Sequence, residues 1–150
     1  MDEASIRNNY LVFGLNEEQL DCVAGLATER TLKEAEYLCR QGEPGGEMYI
    51  VLEGRLRVET IDGDLLAEVG PNSVLGEMGL IGSRPRSASV VALTDVRLAA
   101  IRSRDLHEEM VADGHTGFLI LYNITRVLSE RLFQADEKLS SLMHTAINPN

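Results

Sequence analysis

The chain has 150 residues and a formal net charge of −10, with 14 Lys and Arg against 24 Asp and Glu. The length fits a single domain, and 44% hydrophobic with 25% charged residues is ordinary for a globular protein. The acidic balance argues against direct binding of nucleic acid or of an anionic membrane surface, because both need basic patches. Two cysteines, Cys22 and Cys39, are too few for a disulfide framework and are predicted to be buried free thiols.

The N-terminal residues are polar and acidic and lack the charged-then-apolar architecture of a signal peptide. No apolar run approaches the length of a membrane span. These two features predict a cytoplasmic protein.

The chain up to about Ala27 is predicted to be helical. Asn16 is a good N-cap, and Gln19 stands where the reciprocal partner of a capping box belongs. The apolar residues that follow at helical spacing are Leu20, Val23, Ala24 and Ala27.

From about Leu32 to Ile101, short β-prone runs alternate with turns rich in Gly, Pro and Asp. Leu56, Val58 and, less cleanly, Ile61 are predicted to share one face of a half-buried strand. The predicted strands are Tyr37–Cys39, Met48–Leu52, Leu56–Ile61, Leu65–Val69, Ala88–Leu93 and Val96–Ile101.

Glu53-Gly54 and Asp62-Gly63 are hairpin-type turn signals within this region. Short strands with frequent turns and no helices between them predict an antiparallel β-roll or jelly roll. The fold class is therefore mainly β, with an N-terminal helix and a long C-terminal helix at its flanks.

The residues after the strands are predicted to be helical again. Ser103 can cap a short helix that Gly114 ends, and a long helix follows from about Thr116 to about Thr145. Asn148-Pro149 is expected to terminate that helix. The predicted inner face of the short helix consists of Leu106, Met110 and Val111.

The long helix carries apolar residues in a strict 3-4 alternation, the pattern of a two-stranded coiled coil, so a homodimer is predicted. The alternative is that this stripe packs on the sheets, which we expect for the part up to Leu128. The stripe consists of Phe118, Leu121, Thr125, Leu128, Leu132, Ala135, Leu139, Leu142 and Ala146.

The segment Leu75–Val90 contains glycines at positions 76, 79 and 82, with Glu77 between the first two and Arg86 further on. Backbone N–H groups in such a turn can converge on a phosphate, and Arg86 can add a charge-assisted donor fork. An ionised Glu77 is acceptor-only and suits a sugar hydroxyl. The pattern indicates a small, ribose-bearing anionic ligand, with a structural Glu77–Arg86 ion pair as the alternative.

The run Gly-Glu-Met-Gly-Leu-Ile…Arg-Pro-Arg-Ser-Ala-Ser-Val closely resembles the phosphate-binding cassette of cyclic nucleotide-binding domains. Gln41-Gly42-Glu43 and the segment Met48–Gly54 resemble the family's early strand pair, and the helix after Thr116 resembles the dimerisation helix of the catabolite activator class. The resemblance covers about residues 12 to 143.

The resemblance implies that Glu77 accepts the ribose 2′-hydroxyl and that Arg86 pairs with the cyclic phosphate. The Ser87 hydroxyl would reach phosphate or base, while Arg84 would be a solvated loop residue. The backbone N–H groups implied to complete the phosphate cradle are those of Gly76, Met78, Gly79, Ser87 and Ala88.

The sequence departs from the catabolite activator class on the long helix, where that class contacts the base with hydroxyl side chains. Here Ala135 and Asp136 occupy the stretch. Asp136 could accept from an exocyclic amine of the base or be an exposed charge of the coiled coil, and both interpretations stay open. No helix-turn-helix follows residue 146.

The sequence lacks a Walker lysine, a His-Glu-x-x-His motif and a nucleophile elbow, so no enzyme, cofactor or metal site is predicted. The three histidines are predicted to lie on the surface: His107, His115 and His144.

The leading hypothesis is a stand-alone cyclic nucleotide sensor without a DNA-binding module, favouring cAMP over cGMP and acting on an unidentified downstream protein. Its predicted parts are an N-terminal segment (1–15), a nucleotide-binding β-roll with flanking helices (16–114) and a dimerisation helix (115–147). The alternatives are a dimeric scaffold of the same fold that binds no nucleotide, and the sensor portion of a transcription regulator.

Overall fold

Two four-stranded antiparallel sheets form the centre of the molecule, which a computed structural model describes over residues 3–82 and 84–147. Their strand orders are β1-β8-β3-β6 and β2-β7-β4-β5, which confirms the predicted β-roll. The strands are β1 (Thr28–Leu32), β2 (Tyr37–Cys39), β3 (Glu47–Glu53), β4 (Leu56–Glu59), β5 (Leu65–Val69), β6 (Val74–Leu75), β7 (Ser89–Ala92) and β8 (Val96–Arg102).

The helices cover one face of the β1-β8-β3-β6 sheet. Two short 3₁₀ turns accompany them, at Tyr10–Val12 and at Glu77–Leu80. The helices are α1 (Glu3–Arg7), α2 (Glu17–Gly25), α3 (Ser103–Ala112) and α4 (Gly114–Ile147).

Strand β3 separates two hydrophobic cores because successive side chains of a strand point to opposite faces. Tyr49 and Val51 pack between the two sheets. Met48 and Ile50 pack against the helices instead. The β1-β8-β3-β6 sheet is thus the middle of three layers, between the helices and the other sheet, and its apolar residues pack on both of its faces.

All six predicted strands are present, although β4 ends at Glu59 and leaves Ile61 exposed. The structure adds β1 and β6, which the sequence analysis missed. Asp62-Gly63 forms the predicted hairpin between β4 and β5. The hairpin predicted at Glu53-Gly54 is wrong, because β3 and β4 belong to different sheets and the turn connects one sheet to the other.

The capping box of α2 is confirmed. The Asn16 side chain accepts a hydrogen bond from the Gln19 N–H at 2.9 Å, and the Gln19 side chain accepts one from the Asn16 N–H at 3.0 Å. This reciprocal pair satisfies two backbone donors at the helix start. The free thiols are confirmed as well, but Cys22 is exposed on this helix and Cys39 is only partly buried.

The boundary between α3 and α4 differs from the prediction. Ser103 is the first residue of α3 rather than its cap, and its buried hydroxyl has no hydrogen-bond partner among the described residues. Gly114 begins α4 instead of ending α3. Asp113 caps α4, since its carboxylate accepts from the His115 N–H at 3.1 Å and from the Thr116 hydroxyl at 2.9 Å. The Val111 side chain, predicted to face inward, is 72% exposed.

Helix α4 packs on the core through Ile120 and Ile124, both fully buried. The expectation that the coiled-coil stripe itself packs here is wrong for Phe118 and Leu121, which are exposed, whereas Leu128 does contact the core. The predicted terminator Asn148-Pro149 lies outside the described residues. Among those residues, no helix combines the length and the apolarity that crossing a bilayer requires.

A buried amide ties α4 to the N-terminal 3₁₀ turn. The Asn123 side chain donates to the carbonyls of Leu11 and Phe13, at 3.0 Å each. Because Asn123 and Leu11 are buried, the loss of this donor is expensive in free energy.

We expect Asn123→Ala to lower the free energy of unfolding by about 2–3 kcal/mol, since two hydrogen bonds are lost and two carbonyls stay unpaired. Urea denaturation followed by circular dichroism measures the change. Ser129→Ala, at an exposed position of the same helix, is the control and should change stability by less than about 0.5 kcal/mol. Equal effects of the two variants would contradict the assigned role.

Candidate functional site

A cavity of about 1130 Å³ opens beside the 3₁₀ turn Glu77–Leu80. Apolar side chains from β2, β4, β5 and β7 line one part of it: Leu38, Val58, Val69 and Val90. Polar groups gather at the segment between β6 and β7. An apolar wall with a few convergent polar groups is typical of a small-molecule site.

Gly76 makes the close packing of this segment possible. Its φ is +81°, in the left-handed region, and a Cβ at this position would lie 2.7 Å from both Arg86 Nη1 and the Glu47 carbonyl oxygen. Only glycine fits there without displacing the arginine. The Gly79 N–H donates to the Gly76 carbonyl at 3.1 Å and closes the 3₁₀ turn.

Arg86 is held without a carboxylate. Its Nη2 donates to the Glu47 carbonyl at 2.8 Å, and its Cζ lies 5.7 Å from the centroid of the Tyr49 ring. Within residues 3–82 and 84–147, no Asp or Glu oxygen lies within 4.0 Å of its guanidinium nitrogens. A half-buried cation with this environment can bind an anion by forming new charge-assisted hydrogen bonds.

Glu77 is only 7% exposed and pairs with Arg131 of α4, whose Nη1 lies 3.1 Å from Glu77 Oε1. The alternative of a structural Glu77–Arg86 ion pair is therefore not what the structure contains. Tyr10 lies nearby, and burial together with the Glu77 charge raises the pKa of its hydroxyl. The pair joins the cavity directly to the long helix.

Arg131 is the principal site residue that the sequence analysis missed. Its signal was its position: it follows buried Ile124 by seven residues, two helical turns, and so lies on the inward face of α4. Tyr49 was also missed as a neighbour of Arg86.

Two further side chains near Arg86 are neutral. Burial raises the pKa of the Tyr49 hydroxyl, an effect that the Glu47 carboxylate increases and Arg30 and Arg86 oppose. Burial also raises the pKa of the Cys39 thiol, which donates to the Ala88 carbonyl at 3.7 Å. The groups in contact with the Arg86 guanidinium are thus a backbone carbonyl and a neutral ring.

The structure brings seven of the eight predicted ligand-binding residues to the cavity: Gly76, Glu77, Met78, Gly79, Arg86, Ser87 and Ala88. Asp136 is not among the lining residues and is exposed on α4. Arg84 is exposed, as predicted, but also borders the cavity, as does the exposed His107 of α3. No cluster of three or more metal-ligating side chains occurs in the described part of the chain.

The model of one protein family, described as the cyclic nucleotide-binding domain, matches residues 29–113. The chain belongs to this family. The match begins at the second residue of β1 and includes all the later strands, the 3₁₀ turn Glu77–Leu80 and Arg86. The chain has the fold of a cyclic nucleotide-binding regulatory domain.

Curated relatives extend the likeness of this cyclic nucleotide-binding domain. It is 30% identical over 141 residues to the cyclic AMP receptor protein of Thermus thermophilus, covering 91% of the chain and 63% of the relative. It is 43% identical over 76 residues to a cyclic nucleotide-gated potassium channel of Mesorhizobium japonicum, covering 51% and 21%. The chain thus spans less than two thirds of the length of either relative.

Among solved structures, the N-terminal domain of a transcriptional regulator from Streptomyces coelicolor is similar, with a TM-score of 0.73 and 31% identity. The superposition covers 89% of this chain and 95% of that one. The arrangement of sheets and long helix therefore recurs over nearly the whole length of that domain.

Replacing Arg131 by Met leaves the buried Glu77 carboxylate without its partner. We expect the free energy of unfolding of the ligand-free protein to fall by about 1–3 kcal/mol, since an unpaired buried acceptor loses its compensation. Chemical denaturation measures it. Arg126→Met, five residues earlier and exposed, is the control and should change stability by less than about 0.5 kcal/mol. A loss of the same size in both variants would refute the role of the ion pair.

Proposed function

We propose that the chain is a cyclic nucleotide sensor that favours cAMP and transmits ligand binding through α4. The observation that carries the proposal is the Arg86 guanidinium, which lies at the cavity with no carboxylate partner among the described residues. In a protein of net charge −10, such a cation attracts an anion by a local site and not by the overall field.

In this proposal the cyclic phosphate lies between Arg86 and the backbone N–H groups of Gly76, Met78, Gly79, Ser87 and Ala88. The Gly79 N–H must then exchange its bond to the Gly76 carbonyl for one to the phosphate, so the 3₁₀ turn loosens as the ligand enters. The ribose hydroxyl donates to Glu77, which is acceptor-only when ionised. The apolar side chains of β2, β4, β5 and β7 contact the base.

The preference for cAMP is supported by the Thermus relative, which is named as a cyclic AMP receptor and matches 91% of the chain. cGMP is the second candidate. Asp136 enters the proposal only if α4 moves or a second copy contributes it, since in the present arrangement it does not line the cavity.

The route to α4 is the carboxylate of Glu77. The same group that would accept the ribose hydroxyl already holds Arg131 at 3.1 Å. Ligand binding therefore changes the strength and geometry of the contact that fixes α4, and a ligand with different affinity for two helix positions shifts their populations.

The proposal describes a non-enzymatic cytoplasmic regulator that requires no cofactor, binds neither nucleic acid nor membrane directly, and acts on a downstream protein. The 16–114 segment is the sensing unit and 115–147 the output helix. Two alternatives differ in the output: a scaffold that no longer binds nucleotide, and the sensor portion of a transcription regulator, which the Streptomyces coelicolor domain favours.

Isothermal titration of the protein with cAMP and with cGMP tests the proposal. We expect Arg86→Ala to weaken binding by about 2–4 kcal/mol, because it removes one partner of a desolvated charge pair. The matched control is Arg84→Ala, which removes the same charge two residues away and should lose far less. Absence of binding at millimolar nucleotide, or equal losses in both variants, would exclude the proposed site.

We also propose that α4 mediates a homodimer. Apart from Leu128, which contacts the core, its apolar stripe is exposed, with Phe118 65% exposed near the start and Leu132 and Leu139 exposed further on. An exposed seam at coiled-coil spacing is matched best by the same seam of a second copy.

The double variant Leu132→Glu/Leu139→Glu should convert a dimer to a monomer, since four carboxylates would meet in the seam. Sedimentation equilibrium measures the mass. Gln134→Glu/Ser141→Glu adds the same two charges on another face of α4 and should stay dimeric. A monomeric wild-type protein at micromolar concentration would rule out the dimer.

A further inference from the structure

Three side chains near the Arg86 guanidinium form a connected cluster outside the phosphate cradle. Arg30 of β1 donates from Nη1 to Glu47 Oε1 at 3.0 Å and to the Tyr49 hydroxyl at 3.2 Å. Its Cζ lies 5.6 Å from the Tyr49 ring centroid, almost the same distance as that of Arg86. Two guanidinium groups therefore share one ring and one neighbouring residue, Glu47.

The sheet register places Arg30 within reach of Glu47 and Tyr49 on β3. Arg30 pairs with Leu98 of β8, which in turn pairs with Val51 of β3. Tyr49 is opposite Ala100, whose small side chain leaves room for the arginine to cross β8 diagonally. Because residues two apart in a strand share a face, Val51, Tyr49 and Glu47 lie on the side from which Arg30 arrives.

Glu47 carries a carboxylate that would neutralise the Arg86 guanidinium if the two side chains formed an ion pair. Its backbone carbonyl accepts a hydrogen bond from Arg86 Nη2 at 2.8 Å. The carboxylate of the same residue is therefore separated from this contact only by the length of the Glu47 side chain. Arg30 holds that carboxylate, and no Glu47–Arg86 side-chain pair within 4.0 Å exists in the described structure. Without Arg30, the cations left beside this carboxylate are Arg86, which donates to the Glu47 carbonyl, and Arg102, which lies opposite Glu47 in the β3–β8 pairing and is already paired with Asp105.

We propose that Arg30 is a positioning residue of the ligand site. It occupies the Glu47 carboxylate and so leaves the Arg86 guanidinium available for the ligand's phosphate. This inference rests on the proposed function for its consequence, but not for the contact itself, which exists in the ligand-free protein.

The first experiment needs no nucleotide. In ¹⁵N-edited spectra of arginine side chains, Arg30→Met should shift the Arg86 Nε–Hε resonance, because Arg86 gains a carboxylate partner. The double variant Arg30→Met/Glu47→Gln removes that carboxylate and should return the resonance toward its wild-type position. An unshifted resonance in Arg30→Met would overturn the proposal.

The second experiment measures cAMP affinity by calorimetry. Arg30→Met should bind about 3- to 10-fold more weakly, the scale of one partly exposed ion pair that the ligand must break, and Arg30→Met/Glu47→Gln should recover most of the loss. Arg97→Met is the matched control, since Arg97 is 40% exposed against 41% for Arg30 and also pairs with carboxylates in the same sheet. It should bind like wild type.

The outcomes separate the two proposals. A loss that persists in the double variant, or an equal loss in Arg97→Met, would show that Arg30 acts only through the stability of the sheet and would refute its positioning role. If the wild-type protein binds no cyclic nucleotide, the proposed function fails, and the spectra alone then decide whether Arg30 keeps Glu47 from Arg86.

Discussion

The uncompensated charge of Arg86 is the constraint around which the site is built. Its guanidinium is held by the Glu47 carbonyl and lies near the Tyr49 ring, both of which fix its position without neutralising it. The held position requires Gly76, because a side chain there would strike the guanidinium at 2.7 Å. A carbonyl and an aromatic face stabilise a cation less than a carboxylate does, so an anionic ligand adds a favourable contact.

Two carboxylates that line the same cavity as Arg86 are paired with arginines from elsewhere in the fold. Arg30 of β1 holds Glu47, and Arg131 of α4 holds Glu77. The two pairs differ in exposure: Arg30 and Glu47 are comparably solvated, whereas Glu77 is nearly buried and depends strongly on its partner. In the proposed roles, the Arg30–Glu47 pair therefore keeps the Glu47 carboxylate from pairing with Arg86, and the Arg131–Glu77 pair connects the cavity to α4.

Local sequence signals predicted those parts of the fold that local chemistry controls. The Asn16–Gln19 capping box and the six predicted strands rest on caps, alternation and turn residues, and all are present. Strand β1 was missed because Thr28–Leu32 is mostly polar and has no clear alternation, and β6 because it has only two residues. These strands form through their neighbours in the sheet, a tertiary effect that outweighs propensity.

The cassette residues were likewise predictable because they are close in sequence, whereas their partners are not. Arg131 is 54 residues from Glu77, and Arg86 is 39 from Glu47, so only the fold could bring them together. The same holds for Ser103, which resembled a cap in sequence but is placed one residue inside α3 by the strand that precedes it.

Helix α4 is suited to carry a change at Glu77 over a distance. Its inward face contains Ile120, Ile124 and Arg131, while its exposed stripe continues to Ala146, so in the proposed function one helix has a sensing face and an output face. From Arg131 to Ile147 the helix rises about 24 Å. A small rotation about the packed segment is amplified along that length. Among the described residues, α4 contributes Arg131 alone to the cavity lining, so in the proposed function the Glu77 carboxylate is the point at which ligand binding and helix position are most directly coupled.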